Sequence, residues 1–228
     1  NEEAIGHFER ALELISHLDG ASGRDASELN LRLALGAPLQ ARLGYGRPQV
    51  EQTYARALEL CEHAEDDEQL SRALWGLFAF HDIRCELSTA ADFGERLLSL
   101  GQRCADTSRI VLGHQACGIA LYWQGRNAEA LDQFERALSL YDLERHGTLG
   151  FEYGQDAGVF ASLFSAVALC AVGRSDFGLS REWVGAELAA DLPAGDTWED
   201  RITSALAGPP APVATPPLMW EGQSYRVD

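Results

Sequence analysis

The stretch AEALDQFERALSLY, Ala128–Tyr141, sets Ala130, Leu131, Phe134, Ala137 and Leu138 three and four residues apart, the period of a helix with one apolar face. The same pattern returns along the chain. EEAIGHFERALELI (Glu2–Ile15) shares its Phe-Glu-Arg-Ala-Leu-x-Leu core, EQTYARALELC (Glu51–Cys61) is a shorter copy, and ADFGERLLSLG (Ala91–Gly101) is a weaker one. Superimposed, they bring Ala11, Ala57, Leu97 and Ala137 to one equivalent point, with separations of 46, 40 and 40 residues. Self-similarity at a period of this length marks a repeat array, in which each unit buries its apolar face against the next. The expected fold class is therefore all-α: antiparallel helix pairs stacked as a right-handed α-solenoid, with those four residues buried.

Each unit reads as two helices. In VLGHQACGIALYWQGRNAEALDQFERALSLYD (Val111–Asp142) a first apolar helix stops near Gly125, where glycine supplies a left-handed cap, and a second starts after Asn127 as its N-cap. Gly118, Ala130 and Ala137 fall where paired helices must approach closely.

These residues resemble the tetratricopeptide repeat (TPR). Its small-residue, Gln-Gly, Ala and Phe-x-x-Ala-Leu positions are matched by Gly118, Gln124-Gly125, Ala130, Phe134, Ala137 and Leu138. The chain departs from it with His114 at a common tryptophan position, Leu121 at the tyrosine position and no closing proline. The period of 40 or more exceeds the ~34 residues of that repeat, so longer inter-repeat turns are expected. Three further stretches, LGAPLQARLGYGRPQVEQTYARALELC (from Leu35), LWGLFAF (from Leu74) and RHGTLGFEYGQDAGV (from Arg145), are similar to the helical-repeat region that follows the ATPase module of bacterial signalling proteins, often linked to an adenylate or guanylate cyclase domain. That region carries Tyr-Gly-Gln-Asp-Pro-Gly-Val, and here Ala157 replaces the proline. The resemblance covers roughly residues 1–178 and implies a scaffold rather than an activity. Asn1 begins within helix-like sequence, so the chain reads as a piece of a longer polypeptide.

Composition narrows the function classes. A formal charge of −17 argues against a nucleic-acid surface, which needs clustered cations. All 18 basic residues are arginine, which excludes a phosphate-loop lysine and a Schiff-base lysine from this chain. No apolar run is long enough for a membrane span, and no basic n-region opens the chain, so a soluble cytoplasmic protein without membrane contact is expected. Cys61, Cys85, Cys104, Cys117 and Cys170 form no CxxC pair and read as free thiols among apolar neighbours. His81 and Cys85 share a helical face with Cys61 and His63 as further donors, but their spacing matches no zinc pattern, so neither metal nor cofactor is expected. The six histidines are scattered, and GxSxG, HExxH and GxxxxGK are absent, so no catalytic residue is assigned.

The segment FEYGQDAGVF (Phe151–Phe160) looks like an active-site loop, yet no His, Ser or second acid accompanies Asp156. It reads instead as an enlarged connector packed on the preceding pair, with Asp156 capping a helix from Ala157 to about Val172. If the array presents a groove, its first helices line it, with Arg72, Trp75, Asp82, Gln115 and Tyr122 on the inner surface. That mixture suits a peptide backbone or a polar ligand, while the alternative is that Trp75 and Tyr122 pack between helices. The expected role is a non-catalytic scaffold that binds a protein, a peptide or other domains of its own polypeptide. A sensor region regulating an attached ATPase or cyclase is the alternative.

The domain reading is a helical-repeat domain over 1–190 that starts mid-repeat, a short terminal helix over 191–208 and a proline-rich tail over 209–228. Five prolines between Pro209 and Pro217 preclude a helix there. LMWEGQSYRV (Leu218–Val227) then reads as two short β-like arms, with Trp220 folded back onto the array.

Overall fold

The computed structural model describes residues 2–17, 21–64, 66–174, 218–220 and 223–225. Up to residue 174 the elements are helices: α1 (Glu2–Ser16), α2 (Ala21–Leu43), α3 (Pro48–Ala64), α4 (Asp67–Ile83), α5 (Leu87–Cys104), α6 (Thr107–Trp123), α7 (Asn127–Leu140), the short α8 (Leu143–His146) and α9 (Leu149–Tyr153), and α10 (Ala157–Ala171). Two strands, β1 (Leu218–Trp220) and β2 (Gln223–Tyr225), pair antiparallel with Met219 opposite Ser224. The expected helix over 191–208, the proline run and the seating of Trp220 lie outside the described residues.

Successive helices pack on one another from α1 to α7, and α10 packs on α7 and α6. The pairs are α2 with α3, α4 with α5 and α6 with α7, an arrangement consistent with an α-solenoid. The first helices also touch across pairs, α2 with α4, α4 with α6 and α6 with α10, more closely than the second helices do. They form a contiguous row, and that row carries the candidate site.

Local chemistry sets the boundaries. Three first helices start on an aspartate: Asp66 accepts from the Glu68 and Gln69 amides, Asp106 from the Arg109 amide and Asp156 from the Val159 amide. The second helices start without a side-chain cap, directly after a left-handed residue. Gly125 takes this role before α7, and Cys85, 40 residues earlier, adopts the same conformation with φ 58° before α5. Asn127 is the first residue of α7 and not its cap. The Ala130 amide bonds the Arg126 carbonyl at 2.9 Å, so the helical ladder begins one residue earlier than the side-chain preference of asparagine suggests.

The extra length of the repeat lies in the helices, not in longer turns. The turns after α2, α4, α5 and α6 hold only two to four residues, while α3, α4, α5 and α6 run 17 or 18 residues each. Ala57, Leu97 and Ala137 are fully buried, as the superposition requires. Ala11 is only half-buried, because α1 packs on α2 alone among the described helices. Close approach explains the small residues: a Cβ on Gly118 would stand 2.5 Å from the Phe134 ring, and one on Gly113 2.5 Å from the Leu98 Cα.

Candidate functional site on the row of first helices

The connector between α7 and α10 does not stay on the preceding pair. It reaches across to α4, two pairs back, because Tyr153 finds there both an aromatic wall and hydrogen-bonding groups. The Trp75 indole N–H donates to the Tyr153 carbonyl at 3.0 Å, and the two rings meet edge to face at 5.9 Å. Ser71 Oγ donates its one proton to the Glu68 carbonyl at 2.7 Å, so the Tyr153 hydroxyl, 2.9 Å away, donates to Ser71. Leu149 and Tyr153 thereby join the core cluster of Leu74, Trp75 and Phe78.

Asp156 starts α10 as the sequence predicts. Its second oxygen accepts from the Tyr141 hydroxyl at 2.8 Å, and burial together with that carboxylate pushes the phenol well above its ordinary range. Gly150 and Gly154 bracket the short α9, and Gly154 is left-handed at φ 80°. The opening of the connector is fastened by His146, whose buried Nδ1 accepts from the Asp142 amide at 2.8 Å. Burial and the neighbouring Arg145 hold that imidazole below its usual pKa.

A cavity of about 260 Å³ lies between α2, α3, α4 and the end of α9. Arg72 and Trp75 line it, with Gln40 and Ala37 from α2, Tyr45 from the α2–α3 turn, Tyr54 from α3, and Tyr153. The Tyr54 ring is wedged between two glycines: a Cβ on Gly36 would stand 2.3 Å from it, and one on Gly76 2.4 Å. Its hydroxyl donates to Gln40 Oε1 at 3.3 Å. Burial raises the Tyr54 pKa to about 12, while the positive charge of Arg72 draws it back, which places that guanidinium within electrostatic reach.

The other three predicted inner-surface residues stand apart from this cavity. Gln115 is fully buried in α6, and neither its Nε2 nor its Oε1 has a hydrogen-bond partner in the protein. Tyr122 packs edge to face on Trp123 and on Phe164 of α10. Asp82 sits at the end of α4 with Oδ1 buried and unpartnered, and burial raises its carboxyl to about 6. Of the metal candidates, His81 stacks on Phe93 and bonds Glu86 at 2.6 Å, Cys85 is exposed in the turn, and Cys61 is buried in a different cluster. Among the described residues, no group of three or more His, Cys, Asp or Glu can hold a metal ion. None of the described helices is long and apolar enough to cross a membrane.

Gln40, Tyr45, Tyr54 and Tyr153 are the lining residues that sequence reading did not select. Tyr54 had a usable signal: it stands where Phe8 and Phe134 stand in the other copies, and its extra hydroxyl needs a polar neighbour. No protein-family model matches the chain, and no curated protein is significantly similar to it.

Proposed function

We propose that the chain is a non-catalytic, TPR-like interaction domain wound as a right-handed superhelix, and that its row of first helices receives a protein or peptide partner or another domain of its own polypeptide. The parent is a cytoplasmic bacterial signalling protein with an ATPase or cyclase module. The observation that carries this reading is the seating of α9 on α4, where Trp75 donates to a backbone carbonyl and Ser71 accepts a tyrosine hydroxyl. Side chains of a first helix thus already hold a peptide segment by its backbone and one aromatic anchor, the contact a partner peptide would repeat along the row. The test is affinity capture from source cells with the chain and with Arg72→Glu, helicity being followed for both. A partner recovered by the first and lost by the second is expected. Equal recovery, or ATP hydrolysis that survives repurification of the chain, would overturn the proposal.

One observation favours a second reading, a sensor that regulates the attached module. The cavity beside Trp75 is ring-walled, carries several polar groups and includes α9 in its wall, so an occupant acts directly on the connector. Ligand-dependent protection of the α9 amides from hydrogen exchange would support it, and its absence under saturation would sink it.

A further inference from the structure

The cavity between α2, α4 and α9 is more polar than a packing defect. Gaps left by imperfect packing are apolar and dry, whereas Gln40, Tyr45, Tyr54 and Arg72 all border this one space. Its remaining aromatic walls are Trp75 and Tyr153. Its charge is also unusual for this chain. The groove between α4 and α5 is lined by Asp92 and Glu95 as well as arginines, and the groove over α6 by Glu95, Glu129 and Asp132. This cavity has no carboxylate in its lining and one cation, Arg72, in a protein of net charge −17. The protein leaves the negative partner to be supplied from outside.

We propose that this cavity binds a small aromatic carboxylate, with Arg72 taking the carboxylate and the rings of Trp75, Tyr54 and Tyr153 enclosing the ligand's ring. The guanidinium fork matches a carboxylate in two parallel hydrogen bonds, and edge or offset ring contacts supply the remaining affinity. Gln40 and Tyr45 satisfy a polar substituent at the other end. The volume of about 260 Å³ lies below the range of drug-sized pockets, which selects a single-ring molecule. Tyr45 lies in the short α2–α3 turn and is 40% exposed, and its hydroxyl comes 3.7 Å from the position a Cβ would take on Gly154. The passage between this turn and the end of α9 is the entrance. The inference rests on the sensor reading and names the class of molecule sensed.

The experiment uses the full chain and four probes: 4-hydroxybenzoate, phenylacetate and their neutral amides. Binding is followed by the indole N–H resonance of Trp75, assigned with Trp75→Phe. Both carboxylates are expected to saturate that shift, with the amides and Arg72→Gln at least about tenfold weaker and Arg72→Lys intermediate. Tyr45→Phe, which leaves the charge in place, should weaken 4-hydroxybenzoate but not phenylacetate. Circular dichroism reports whether each variant is folded. Amides that bind as tightly as the acids would overturn the carboxylate class while leaving a sensor of neutral rings. Carboxylate binding without any change in α9 exchange would keep the site and remove the sensor reading. If no probe moves the Trp75 resonance at millimolar concentration, both fall.

Discussion

Tyr54 shows how much one ring determines here. It leaves α3 and inserts between α2 and α4, and it fits only because Gly36 and Gly76 lack a side chain on the facing surfaces. Gly76→Ala puts a methyl 2.4 Å from that ring and should cost about 1 to 3 kcal/mol by overpacking. Urea denaturation checks this, and most of the loss should vanish in a Tyr54→Leu background. Asp82 offers a second test, through pH. Its folded carboxyl titrates near 6 against 3.8 for the ordinary group, because burial disfavours the charge and Oδ1 has no partner. The unfolded chain therefore ionises first, and the contribution of Asp82 to stability falls as pH rises from about 4 to about 6 and is level above that. Asp82→Asn removes the titration, so its stability relative to the native chain should improve across that window. A difference that does not change with pH would exclude the burial argument. Both effects depend on neighbours distant in the sequence, which is why the residues themselves gave little warning.

Single elements were more legible. The spacing of Phe134, Ala137 and Leu138 and their copies identifies the second helices, since burial of a three-and-four pattern leaves few alternatives. Asp156 identifies the start of α10, because a carboxylate before an uncharged apolar run has amides to satisfy. Removing it as Asp156→Ala should cost about 1 to 2 kcal/mol, the sum of a lost cap and a lost partner for Tyr141. Asp156→Asn keeps most of the cap and should lose clearly less, as thermal melts can show. The length of the helices was not legible. An extra turn at the end of α4 or α5 uses residues that are equally at home in a turn, so a long period is compatible with long loops until the hydrogen bonds are seen. The same ambiguity moved the cap of α7 from Asn127 to Arg126.

At the scale of the whole array, the main departure from nearest-neighbour stacking is the bridge from α9 to α4, whose bonded residues are 78 and 82 positions apart in sequence. Local periodicity is silent about it, because the segment carrying Tyr153 has the same composition whether it packs on the preceding pair or two pairs back. Tyr153→Ala should release the segment, shift tryptophan emission to longer wavelength as Trp75 meets water, and leave far-UV circular dichroism nearly unchanged, since α9 is only five residues long. Unchanged emission would mean that the bridge is not what covers Trp75. Repeat arrays yield to load as springs do, through small rotations shared among all interfaces. A strut from α9 to α4 bypasses α5, α6 and α7 and stiffens that part of the coil, so elastic compliance is concentrated in the turns from α1 to α3. The cavity between α2 and α4 falls at the boundary of the two regimes, where the least displacement of material changes the pitch of the free end the most.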